Sequence, residues 1–206
     1  MTESGSTQSI LIVDDDPAVR QTLSLVFANA KYSVVCFADG AALLTELKAR
    51  SPICIILDVH IPGKSGLDIL KHINTQYSSI PIFIMSGKGD IAMAVDAIKN
   101  GAHDFIEKPF RGSDVVERVR VAIEASMSRQ TSAGDEAKAP SFNFPGRQTL
   151  SMREQEVLAC VVSGLSNKEM ARQLGISPRT IEVHRARIIE KVGARNTADL
   201  IRLAMS

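Results

Sequence analysis

Residues 53–57, Ile-Cys-Ile-Ile-Leu, form an unbroken apolar run between Pro52 and the loop signals Pro62 and Gly63, and Asp58 follows it directly. A short run of this kind predicts a strand buried on both faces, the type found in parallel sheets. Ligands of open parallel sheets sit beyond the carboxyl ends of the strands, so Asp58 is a candidate for chemistry. A solvated turn aspartate is the plainer alternative.

The same pattern recurs along the first part of the chain. Ser9-Ile-Leu-Ile-Val13 ends in Asp14, Asp15 and Asp16, and Pro17 can open a helix at its first turn. Adjacent carboxylates repel one another, and such oxygen ligands suit Mg²⁺. An acidic helix N-terminus favoured by the macrodipole is the alternative. A helix to Ala30, a strand Ser33 to Phe37 and a helix Gly40 to Arg50 precede the Asp58 strand. After it come a helix Gly66 to Tyr77, a strand Pro81 to Ser86 and a helix Asp90 to Asn100 closed by Gly101. A short strand Asp104 to Glu107 then runs into Lys108-Pro109, and a last helix spans Ser113 to Met127. Five βα units predict a doubly wound α/β domain with a five-stranded parallel sheet.

The strand ends bring together Asp14 and Asp15, Asp58, Ser86 and Lys108. One chemistry uses them all: a carboxylate nucleophile, an acidic pair for Mg²⁺, and a hydroxyl and an ammonium for the oxygens of a transferred phosphoryl group. With these residues in this order, the chain resembles the receiver domain of bacterial two-component response regulators over roughly Ile10 to Met127. The resemblance implies that Asp58 is the phosphoacceptor and that Asp14, Asp15, Asp58 and the backbone carbonyl of His60 hold the metal. Ser86 would be the switch hydroxyl. Phe105 would be the aromatic whose rotamer follows phosphorylation, although an ordinary core aromatic reads the same way. His60 departs from the residue types common at its position. With Lys88 it is expected to control water access to the acyl phosphate and so its lifetime; two exposed loop side chains are the alternative.

Residues 128–147 lose apolar periodicity and read as a linker between a domain at 1–127 and another at 148–206. Phe142 and Phe144 stand out there as aromatics that dock on one domain or lie exposed. From Gln148 onward there are nine Lys or Arg against six Asp or Glu, although the whole chain carries only +1. Four short helices follow, about Ser151 to Ser163, Asn167 to Leu174, Ser177 to Val192 and Thr197 to Met205, with Ser151 and Glu154 as a capping box. The second and third, with a turn at Gly175, have helix-turn-helix spacing. On a wheel of the third, Ile181, Ile188 and Val192 share one face, while Arg179, Val183, Ala186, Arg187 and Glu190 point away with Glu182 on the flank. A solvated amphipathic helix is the alternative to a DNA-reading one. The segment resembles the LuxR-type output domain through Leu150-Ser-Met-Arg-Glu154, Gly164, Asn167-Lys168 and Thr180-Ile-Glu-Val-His184. The order of the two domains is most similar to the FixJ subgroup. Lys168, Arg179 and Arg185 are expected at DNA phosphates, and Glu182, Val183 and Arg187 at base edges in the major groove. Asn167, Thr180 and His184 complete the expected DNA-binding set.

The helix from Asp90 carries a second apolar stripe. Ala94, Ala97 and Ile98 can face the sheet, leaving Ile91, Val95 and Lys99 outward at a spacing of four. An isologous dimer would set Lys99 of one copy near Asp104 of the other. The resemblance places phosphorylation-dependent dimers on this same surface; cover by the chain's own C-terminal domain at rest is the alternative.

These readings predict a transcription regulator in which a histidine kinase phosphorylates Asp58 and a homodimer then reads double-stranded DNA and contacts RNA polymerase. It would not be an enzyme beyond its own phosphorylation and dephosphorylation. An Mg²⁺-dependent aspartyl phosphohydrolase is one competing reading, disfavoured because its nucleophile is expected after the first strand. A phosphoryl sink or protein-interaction module is another. The polar N-terminus and the lack of a spanning apolar stretch predict a cytoplasmic protein without a membrane segment. Cys36, Cys54 and Cys160 lack ligand spacing and read as free thiols.

Overall fold

The computed structural model describes residues 9–74, 77, 80–87, 91–131, 142, 144, 145 and 148–205, with the side chains of 91 and 129–131 outside the description. The chain divides into two compact units, Met1–Met127 and Ser128–Ser206. The first alternates β1 (Ser9–Val13), α1 (Pro17–Asn29), β2 (Ser33–Phe37), α2 (Gly40–Ala49), β3 (Cys54–Asp58), α3 (Gly66–Asn74), β4 (Ile82–Ser86), α4 (Ile91–Lys99), β5 (Asp104–Glu107) and α5 (Gly112–Thr131). All neighbouring strands pair in parallel in the order β2-β1-β3-β4-β5. The direction of winding reverses between β1 and β3, and a crevice at their carboxyl ends follows from that reversal.

The unbroken apolar runs have the predicted cause. β1, β3 and β4 are buried throughout, whereas β2, an edge strand, is only half-buried. On one sheet face Ile10, Ile12, Cys54, Ile56, Phe83 and Met85 pack with Leu23 and Phe27 of α1 and with Val115, Val119, Ala122 and Ile123 of α5. The alternate residues Leu11, Ile55, Leu57 and Ile84 are equally buried and point to the opposite face by the strand period of two. Each such side chain contributes about 1.5–3 kcal/mol by leaving water.

Beyond one-residue shifts at element ends, two placements differ from the sequence reading. Asp58 is the last residue of β3, paired with Met85 of β4, instead of the first of a loop. The Tyr77 N–H donates to the Ile73 carbonyl at 2.8 Å, an i to i−4 bond, and its hydroxyl donates to the Leu47 carbonyl at 2.9 Å. α5 runs to Thr131, four residues into the expected linker. No Gly or Pro interrupts residues 128–131.

The second unit holds α6 (Met152–Val162), α7 (Asn167–Leu174), α8 (Pro178–Val192) and α9 (Thr197–Ala204). Capping boxes start α6 at Ser151 with Glu154 and α7 at Ser166 with Glu169. Gly175 and Gly193 end α7 and α8 at φ of 64° and 65°, a left-handed conformation that favours glycine. Leu158, Met170, Ile181, Ile188, Val192 and Leu200 form the core, and Phe142 and Phe144 pack against it. The two stray aromatics therefore belong to this unit. Among the described residues no helix is long and apolar enough to cross a membrane.

Candidate functional sites

The carboxyl ends of β1, β3, β4 and β5 gather the expected residues of the first unit. Asp14 and Asp58 are buried, Asp15 is exposed, and ligand atoms of all three lie within 4.8 Å of one another. Lys108, just past β5, donates from Nζ to Asp14 Oδ2 at 2.7 Å and to Asp58 Oδ2 at 2.8 Å. The Asp16 N–H donates to Asp14 Oδ1 at 3.0 Å. Burial raises the Asp14 pKa above its ordinary value, and the Lys108 and Asp16 bonds only partly offset this. For Lys108 burial acts downward, yet the bonds and charges of the two carboxylates raise its pKa. A single ammonium serves two carboxylates and cannot neutralise both.

That imbalance tests whether a cation fits. Three carboxylates against one ammonium leave two negative charges, the charge of one Mg²⁺ in opposite sign. Asp58 Oδ1 is buried with no hydrogen-bond partner among the described residues, so one oxygen is left over after Lys108 has taken the other. The donor set is all oxygen, as Mg²⁺ prefers.

Ser86 is fully buried at the end of β4, with Oγ 3.7 Å from the Met93 Sδ of α4. This contact links the site directly to α4. Phe105 on β5 is half-buried, and His60 is exposed just after β3. Lys88 lies outside the described residues. Gly66 carried no functional signal in the sequence, yet a Cβ there would collide with the Asp58 carbonyl, so its small size lets α3 start against the site.

On α4 the inward residues Ala94, Ala97 and Ile98 are buried and Lys99 is exposed, while Val95 is half-buried. Asp104 departs from its expected role. It is fully buried and held by Arg118 of α5, whose Nε donates to Asp104 Oδ2 at 2.8 Å, so it presents no exposed charge to a second copy. The strand pattern marked Asp104 as an edge residue but carried no information about a partner fourteen residues later.

In the second unit, Lys168, Arg179 and Glu182 are exposed on α7 and α8 as expected, and Asn167 is half-buried. Arg179 and Glu182 form a 3.1 Å ion pair. Five expectations change. Val183, Thr180 and His184 are 7%, 1% and 4% exposed, so their side chains face the interior. The wheel allowed α8 one buried stripe, but α6, α7 and α9 all pack against it, and a helix with three neighbours buries a broader arc. Arg185 donates to Asn167 Oδ1 at 2.5 Å and to Thr197 Oγ1 at 2.9 Å, tying the starts of α7 and α9 to α8. Arg187 lies 3.7 Å from Glu154, which is fully buried and accepts from Lys191 at 2.7 Å and from the Ser151 N–H at 2.7 Å. Burial acts to raise the Glu154 pKa, but Lys191 and Ser151 hold it below its usual value.

A parallel α/β sheet with an acidic pocket and a lysine at its switch point, joined to a helix-turn-helix unit, defines a response regulator. The chain belongs to that family: residues 10–120 match the response regulator receiver domain and residues 148–204 match the bacterial regulatory proteins of the luxR family. It is 41% identical over 197 residues to the transcriptional regulatory protein FixJ of Bradyrhizobium diazoefficiens, covering 95% of this chain and 94% of that one. The FixJ protein of Azorhizobium caulinodans is 39% identical, with 94% and 90% covered. The crystal structure of full-length FixJ from B. japonicum matches with a TM-score of 0.58 at 39% identity, covering 97% of both chains. This is a FixJ-type response regulator that acts in transcription regulation, and its family places it between a histidine kinase and DNA. The hydrolase reading is not favoured.

Proposed function

We propose that a partner histidine kinase transfers a phosphoryl group to Asp58, and that this step, assisted by Mg²⁺, promotes dimerisation and sequence-specific DNA binding. The observation that carries the reading is the pairing of Lys108 with Asp58 Oδ2 while Asp58 Oδ1 stays buried and unbonded. Asp14, Asp15 and Asp58, with the His60 backbone carbonyl, would hold Mg²⁺, which when bound neutralises the incoming phosphoryl oxygens. Asp58 is the nucleophile, Lys108 holds one of its oxygens and stays near enough to pair with the new charge, and Ser86 supplies a hydroxyl. Ser86, through Met93, and Phe105, on β5, carry the change to α4. The dimer surface would centre on Ile91, Val95 and Lys99. His60 and Lys88 would govern the lifetime of the acyl phosphate.

On DNA, Lys168 and Arg179 meet phosphates and Glu182 approaches base edges, within a DNA-binding domain at 148–206 that follows a receiver at 1–127 and a linker from 128. Contact with RNA polymerase would follow promoter binding. Mapping the DNA fragments retained by the full-length protein, with and without a small-molecule phosphodonor, tests the reading. Enrichment of a shared sequence that rises on phosphorylation supports it; sequence-blind retention in both states contradicts it.

A further inference from the structure

The acidic loop after β1 is held by a residue that its sequence pattern did not single out. Arg20, near the start of α1, donates from one nitrogen, Nη1, to the Asp14 carbonyl at 2.6 Å and to the Asp15 carbonyl at 2.9 Å. Those two carbonyls belong to the peptides on either side of the Asp15 Cα. One guanidinium thus fixes the backbone dihedrals that aim the Asp15 side chain.

The two members of the acidic pair differ in what else restrains them. The Asp14 carboxylate is buried and bonded on both oxygens, to the Asp16 N–H and to Lys108. The Asp15 carboxylate is exposed and accepts no hydrogen bond from the described residues. Its place near Asp14 and Asp58 therefore depends on its backbone, and its backbone depends on Arg20. We infer that Arg20 is a positioning residue for the divalent cation, holding Asp15 in ligating position through the two carbonyls. The inference rests on reading the Asp14, Asp15 and Asp58 cluster as an Mg²⁺ site.

A charge role and a positioning role predict opposite signs. As a nearby cation, Arg20 repels Mg²⁺, and removing its charge would tighten binding. As a brace, it pre-pays the ordering of Asp15, and removing the brace would weaken binding. A lysine keeps the charge, but its freely rotating ammonium does not hold two donors in the fixed guanidinium plane from which Nη1 meets both carbonyls.

The test is calorimetric titration of Mg²⁺ into the full-length, unphosphorylated wild type and into Arg20→Lys and Arg20→Gln, with metal-free thermal unfolding of each alongside. Positioning predicts that both variants bind about tenfold more weakly, as loss of partners that orient metal ligands does, with unfolding temperatures close to wild type. Wild-type-like affinity in both variants overturns the inference, as does tighter binding by Arg20→Gln with Arg20→Lys unchanged. Affinity that falls only in step with a lowered unfolding temperature overturns it too, since the role would then be structural. Absence of saturable Mg²⁺ binding by the wild type would overturn the metal-site reading itself.

Discussion

Arg118 of α5 holds Asp104 of β5 inside the chain: Nε reaches Asp104 Oδ2 at 2.8 Å, and Nη2 reaches the Phe105 carbonyl at 2.7 Å. The pair lies on the edge strand of the sheet, beside Phe105. Breaking one side of a buried pair leaves an uncompensated charge, so Arg118→Met should destabilise the receiver by about 2–3 kcal/mol, less than a fully buried pair because the arginine is partly open to water. Lys99→Ala, on the exposed side of α4, should change stability by no more than about 0.5 kcal/mol. Urea unfolding of the two variants checks the contrast; equal effects would refute it.

With Asp104 engaged internally, the proposed dimer surface would rest on the α4 stripe. Val95→Asp should leave phosphorylation intact and keep the phosphorylated protein monomeric in sedimentation. A phosphorylated dimer unaffected by that charge would place the interface elsewhere.

His184 supplies a pH dependence. Burial, then the positive charges of Arg153, Arg187 and Lys191, outweigh the opposing pull of Glu154 and lower its pKa from 6.5 to about 4. Neither ring nitrogen has a hydrogen-bond partner among the described residues. Below pH 6.5 the unfolded chain takes up a proton that the folded unit refuses. Stability is therefore fully present above 6.5, falls as the pH drops toward 4, and levels off below. The loss amounts to about 3 kcal/mol. Denaturation of wild type and His184→Phe across this window should show a steep dependence that the variant flattens; parallel curves would contradict it.

The proposed DNA contacts separate by kind. Lys168→Ala should weaken binding to all sequences alike and lower the salt slope by about one, while Glu182→Ala should relax preference at one position, a cytosine whose N4 amine the carboxylate would accept. Arg185→Ala should act first on folding, because its guanidinium ties three helices together. Binding titrations at several salt concentrations against matched sites, with an unfolding curve for each variant, distinguish these outcomes.

Much of the fold was legible because its signals are local. Unbroken apolar runs gave β1, β3 and β4, Pro17 and Pro178 opened α1 and α8, and Gly175 and Gly193 ended α7 and α8. The receiver pocket was legible because its residues sit at strand ends, whose meeting follows from the parallel topology. Contacts between elements were not legible. Arg118 with Asp104, Arg20 with two carbonyls and Arg185 with Asn167 and Thr197 join residues whose proximity no periodicity encodes. Val183 and His184 were misplaced for a related reason, since a helical wheel counts one packing partner and α8 has three.

The central claim is that Asp58 accepts the phosphoryl group. Intact-mass measurement after incubation with a small-molecule phosphodonor and Mg²⁺ tests it most directly. Wild type should gain one phosphoryl group that hydroxylamine removes, and folded Asp58→Asn should gain none. Undiminished uptake by Asp58→Asn, with the phosphate mapped to another residue, would contradict the account.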